Sequence, residues 1–111
     1  MQAVMHFEPD LLMRAQEVRL VFLDVDGVLT DGGLYFSEQG ETLKRFHSLD
    51  GQGLKYLMSA GVLPVVITGR DSAPLRVRLQ ALGITEAHFG VHDKLSVAQQ
   101  VLKKTGMVFE Q

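Results

Sequence analysis

The stretch V21-F-L-D-V-D-G-V-L-T-D-G-G33 decides how the rest of the chain is read. Three apolar residues run into Asp24 and Asp26, and glycine, threonine and a second Asp-Gly-Gly follow. In an extended segment residues two apart point the same way, so the two carboxylates share a side. They repel there unless a cation or a shared proton relieves them. A strand that delivers two acids to one point therefore implies a site that uses them. The plain alternative is an Asp-Gly turn closing a strand, and the pair alone does not separate the two.

Working outward, V18-R-L-V-F-L-D24 reads as a strand whose continuous apolar centre suits burial on both faces, as in parallel sheets. Residues 33–46 read as a hairpin; with Gln39-Gly40 as the turn, Phe36 faces Leu43 and Tyr35 faces Lys44. Asp50 is placed as the N-cap of a helix with Leu54, Leu57 and Met58 inward and Gly61 as its stop. V62-L-P-V-V-I-T68 is a second buried strand, with Pro64 tolerable near its start. Ser72 caps a helix carrying Leu75, Leu79 and Leu82, closed by Gly83. E86-A-H-F-G90 is a short third strand, and a helix from about 93 to 105 turns Leu95, Ala98, Val101 and Leu102 inward. A short N-terminal helix is expected over 9–17, with Leu11, Leu12 and Ala15 on one side. The order strand, hairpin, helix, strand, helix, strand, helix predicts an α/β fold around a parallel sheet. Ligands of such sheets bind beyond the carboxyl ends of the strands. Asp24, Thr68 with Gly69 and Arg70, and Lys94 all fall on that rim.

Composition narrows the classes. With 111 residues the chain fits one domain, 1–111, and its 46% hydrophobic content excludes a disordered polymer. A net charge of −2 without a basic run gives nucleic-acid binding no electrostatic support. No cysteine is present, which excludes disulfides and thiolate metal sites. Neither a signal peptide nor a membrane span is legible, and a cytoplasmic location is expected.

Oxygen donors alone favour a hard ion such as Mg²⁺ at the acid pair. With a metal there, one carboxylate can attack phosphorus and the other can move the proton. Thr68 suits a phosphoryl oxygen, although alone it is a turn threonine. Lys94 sits at a helix N-terminus, where the dipole disfavours a cation unless an anion lies near; a solvated lysine is the plain alternative. Asp93 reads as a simple cap. Gly51-Gln52-Gly53 follows no strand and is no dinucleotide fingerprint, and no phosphate-binding G-x-x-x-x-G-K-[ST] loop occurs. His6, His47, His88 and His92 are scattered and read as structural or exposed; His47 borders the hairpin.

The set DVDGVLTDG, VVITGR and HDKL resembles the haloacid dehalogenase superfamily of phosphatases, and within it the capless sugar-acid phosphatase branch. The likeness runs over residues 20–105 and includes the Asp-Gly-x-Gly segment at 50–53. It implies a Rossmann-type sheet with a hairpin inserted after the first strand and no cap domain. It implies a Mg²⁺-dependent phosphomonoesterase with Asp24 as nucleophile and Asp26 as general acid/base, Asp24 binding the metal through its side chain and Asp26 through its backbone carbonyl. Thr68 and Lys94 would hold the phosphoryl group, with Arg70 and Asp50 near the substrate. That substrate would be 3-deoxy-D-manno-octulosonate 8-phosphate, in lipopolysaccharide precursor biosynthesis, or a nonulosonate 9-phosphate. The branch also implies a homotetramer in which the 33–46 hairpin borders a neighbouring site. A receiver-type phosphoacceptor domain fits less well, because both acids lie in one turn and strand two ends in threonine. The superfamily's fourth motif, Gly-Asp-Asp and a further acid, is absent and the sequence closes at GMVFEQ. A truncated, catalytically impaired product with an open strand edge is therefore expected.

Overall fold

The computed structural model describes residues 7–33, 35–37, 40–43 and 46–111, the two middle stretches as backbone alone. Its elements are α1 (Pro9–Ala15), β1 (Leu20–Leu23), β2 (Tyr35–Ser37), β3 (Gly40–Leu43), α2 (Ser48–Ser59), β4 (Leu63–Ile67), α3 (Ala73–Leu82), β5 (Ala87–His88) and α4 (Lys94–Thr105). Three of the strands form one sheet in the order β1-β4-β5, both pairings parallel, and β2-β3 form a separate antiparallel ribbon. No cap domain interrupts the described residues, and none of their helices is long and apolar enough to cross a membrane.

β4 is central because it can be buried from both sides. Val65 and Val66 are fully buried, and they point into different cores. Val66 joins Val25, Leu29, Leu54, Leu75, Leu79, Leu82 and Ile84 beneath α2 and α3. Val65 and Ile67 join Leu20, Ala98, Val101 and Leu102 beneath α4. The period-two alternation of a strand divides one apolar run between two layers. Pro64 sits opposite Val21 and has no N–H to offer, and β5 pairs only with Val66 and Ile67 beyond it.

The expected element order holds, with four local corrections. The ribbon register is Ser37↔Gly40, Phe36↔Glu41 and Tyr35↔Leu43, with a shift between Tyr35 and Phe36, so Tyr35 rather than Phe36 stands opposite Leu43. A bulge absorbs the offset, which alternation alone cannot encode. α2 starts before Asp50: His47 is its N-cap, with Nδ1 accepting the Leu49 N–H at 3.1 Å, and Asp50 lies in the first turn. An unprotonated ring nitrogen caps as an oxygen does, and a first-turn carboxylate gains from the dipole. Leu95 is 61% exposed rather than inward: in the first turn of α4 it lines an open groove beside Phe22, Leu23 and Ile67 instead of entering the core. α1 buries no residue, so Leu11, Leu12 and Ala15 form no core face. The expected packing of the 33–46 hairpin on another subunit turns on side chains outside the described residues.

Candidate active site

The turn after β1 is built from its buried side outward. The Val25 carbonyl accepts N–H groups from Val28, Leu29 and Thr30 at 3.1, 2.8 and 3.2 Å. Val25 and Leu29 drop into the core under α2 and α3. The buried Thr30 hydroxyl accepts from Gly27 N–H and Gly32 N–H, each at 3.2 Å. Gly27 and Gly32 have φ of +77° and +81°, which a side chain would strain. With the apolar residues anchored inward, Asp24 and Asp26 take the open side.

Each acid meets a cation from a different loop. Asp24 Oδ1 accepts the Val25 N–H at 2.8 Å and lies 3.1 Å from Lys94 Nζ. Asp26 Oδ2 lies 3.4 Å from Arg70 Nε. Lys94 is the first residue of α4, and the Asp93 carboxylate is occupied in capping that helix through Ser96 N–H at 3.1 Å. The macrodipole penalty on an N-terminal ammonium is thus offset by Asp24.

Thr68 is 1% exposed and fixed by three bonds. Its N–H donates to the His88 carbonyl at 3.0 Å, its carbonyl accepts from Val91 N–H at 2.9 Å, and Oγ1 accepts from Arg70 N–H at 3.2 Å. The hydroxyl proton is thereby left to donate to an acceptor at the rim.

The structure therefore brings Asp24, Asp26, Thr68, Arg70 and Lys94 to one rim through direct contacts. Asp50 joins it differently. It lines a groove of about 720 Å³ with Leu29, Thr30, Asp31, His47 and Ser48, next to the acid turn. Among the described residues Asp50 forms no ion pair. Sequence reasoning missed two features: the Thr30 hydroxyl that closes the turn, and the capping role of His47. The first was legible as a threonine three residues after an Asp-Gly; the second carried no local signal.

Among the described residues no group of three or more His, Cys, Asp and Glu side chains converges on one point. Asp24 and Asp26 supply oxygen donors alone. Mg²⁺ commonly takes one or two carboxylates with water or phosphate in the remaining positions, so a carboxylate from Asp24 and the carbonyl oxygen of Asp26 fit a hard divalent ion.

No family model matches the chain. It is 41% identical over 98 residues to the 3-deoxy-D-manno-octulosonate 8-phosphate phosphatase of Haemophilus influenzae, covering 88% of this chain and 54% of the relative. The Escherichia coli K12 enzyme of the same name is 37% identical over 101 residues, again 54% of its length. The chain thus spans about half the length of the curated relatives it matches. Two solved structures align with TM-scores of 0.84: the cobalt-bound Haemophilus influenzae phosphatase, at 41% identity over 88% of this chain and 57% of that one; and the Moraxella catarrhalis phosphatase in complex with magnesium, phosphate and 3-deoxy-D-manno-octulosonate (KDO), at 36% identity over 91% and 58%.

Proposed function

We propose, from the premise that this chain shares fold and ancestry with the haloacid dehalogenase phosphatases, that its rim is built for phosphomonoester hydrolysis of a sugar-acid phosphate. The substrate is 3-deoxy-D-manno-octulosonate 8-phosphate, the compound named for its relatives. The observation that carries this is the cationic cover of the acid pair, Lys94 on Asp24 at 3.1 Å and Arg70 on Asp26 at 3.4 Å. A site of that charge pattern receives a dianionic phosphoryl group between its cations while keeping a nucleophilic carboxylate ionised.

In the proposed reaction Asp24 attacks phosphorus through one carboxylate oxygen. The bond to the sugar oxygen breaks, and Asp26 gives that oxygen its proton. Water then attacks the aspartyl-phosphate, Asp26 takes the proton, and Asp24 leaves as the free carboxylate with phosphate released. Thr68 donates its hydroxyl proton to a phosphoryl oxygen, and Lys94 balances charge on the same group. Arg70 holds the anionic sugar acid, and Asp50 meets its hydroxyls from the adjoining groove. Asp24 through its carboxylate and Asp26 through its backbone carbonyl would hold a divalent ion, Mg²⁺ by analogy with the Moraxella relative, which would supply positive charge to the phosphoryl group.

Phosphate release from a panel of eight- and nine-carbon sugar-acid phosphates in Mg²⁺ tests this, run beside hydroxylamine-labile labelling of the chain by a ³²P-phosphodonor. Release or label present in the native chain and reduced at least about 10²-fold in Asp24→Asn supports the assignment. Equal signals from the two, or none from either, refute it.

A further inference from the structure

The rim loop that carries Arg70 is not held by its helix in the usual way. Ser72 is the N-cap of α3 by position, yet its hydroxyl makes no capping bond, and its Oγ is buried without a partner. The junction is held instead by residues on either side of that cap. Arg76, one turn into α3, donates Nε to Asp71 Oδ1 and Nη2 to Asp71 Oδ2, both at 2.7 Å. The same guanidinium lies over the Phe89 ring at 4.1 Å from its centroid. Phe89 packs on the core beneath α3 and immediately precedes the second rim loop. Along their inner edge the two loops are already joined by backbone bonds, Val91 N–H to Thr68 at 2.9 Å and Gly90 N–H to Arg70 at 3.4 Å.

We infer that Arg76 is a positioning residue: its fork on Asp71 and its face on Phe89 clamp the two rim loops at their outer edge and so set where Arg70 and Thr68 meet a ligand. Surface ion pairs contribute little as a rule, and the exceptions are bidentate, networked ones such as this. The geometry also demands arginine. Lysine keeps the charge but cannot present a two-pronged donor and a flat cationic face at once. Arg70 lies between Thr68 and Asp71 and reaches Asp26, so a displacement of Asp71 passes directly to the cation that covers the second acid.

The relevance to ligand binding rests on the function proposed above; the clamp itself does not, and the test separates them. Amide hydrogen exchange and an NMR titration with inorganic phosphate are measured on the full chain and on Arg76→Lys and Asp71→Asn. Exchange at Arg70, Gly90 and Val91 is expected to rise about twofold to fivefold in either variant, the scale of one well-formed exposed pair. Exchange at Val101 and Leu102 in α4 stays unchanged, and phosphate affinity falls by a similar factor. The double variant shows no further change, because the two residues act as a unit. Unchanged rim exchange in Arg76→Lys overturns the clamp, as does an equal rise throughout α4, which would make Arg76 a general surface stabiliser. Faster rim exchange with unchanged phosphate affinity overturns its positioning role. A wild-type chain that binds no phosphate counts against the proposed function, while the exchange data still decide the clamp.

Discussion

The face of the sheet under α2 and α3 and the face under α4 hold the rim in different ways. On the first, the acid turn is part of the core: Val25 and Leu29 pack among Leu54, Leu75 and Leu79. On the second, one helix covers the sheet through Ala98, Val101 and Leu102, and no residue of the turn takes part. Asp24 and Asp26 are therefore fixed from one layer, whereas Lys94 arrives from the other. The 3.1 Å contact between Asp24 and Lys94 joins two separately packed cores. Damage under α2 and α3 should move the acids, while damage under α4 should move their counter-charge.

The largest expected effect tests that contrast directly. Leu75 is fully buried and Leu102 is 7% exposed, one on each face. Leu75→Ala should cost about 4 kcal/mol and Leu102→Ala about 2–3 kcal/mol by urea unfolding. Equal costs, or a larger one at Leu102, would show that the faces do not differ as their packing suggests. A smaller effect compares the helix starts. Asp93→Ala removes a working cap from α4 and should cost about 1 kcal/mol, whereas Ser72→Ala removes an unpartnered hydroxyl from α3 and should be neutral or slightly stabilising. A loss at Ser72 matching that at Asp93 would break the distinction.

The smallest effect is one of pH. The hydrogen bond from Arg76 holds the Asp71 carboxyl below the usual carboxylate range, so the pair stabilises the fold above that range. This contribution fades as pH falls through the lowered value, as Asp71 takes up a proton. Protection of the Arg70 amide, its slowing of exchange relative to an unstructured chain at the same pH, should therefore fall below about pH 4 in the native chain more than in Asp71→Asn. Parallel acid profiles would remove the pair from the account.

Much of this organisation is legible in the chain, because apolar periodicity reports burial. Leu75, Leu79 and Leu82 declare one face of α3, and V62-L-P-V-V-I-T68 declares a strand buried on both sides. The rim residues follow from topology, since strands running one way place their last residues together. Other features depend on neighbours distant in sequence. Leu95 shares its helix spacing with Ala98 and Leu102 but faces an open groove beside Phe22 and Leu23, which its own helix does not reveal. His47 displaces Asp50 as the cap because of where the chain leaves Phe46, which bridges Thr30. The Arg76 clamp unites Asp71 with Phe89 across an entire helix and strand, and no spacing rule pairs them.

The pairing of β1 with β4 also has a consequence in time. Leu20 lies opposite Leu63, so the partners stand 43 positions apart in the chain. At a synthesis rate of about 5–20 residues per second, the first strand waits on the order of 2–9 s for the second. β5, by contrast, needs only the short crossover through α3 to reach β4. The nascent chain thus makes an apolar strand first and pairs it late, on the one side that β4 takes. In that interval Leu20–Leu23 is a bare strand, the kind of segment that holdase chaperones bind and that pairs with its like on neighbouring polysomes.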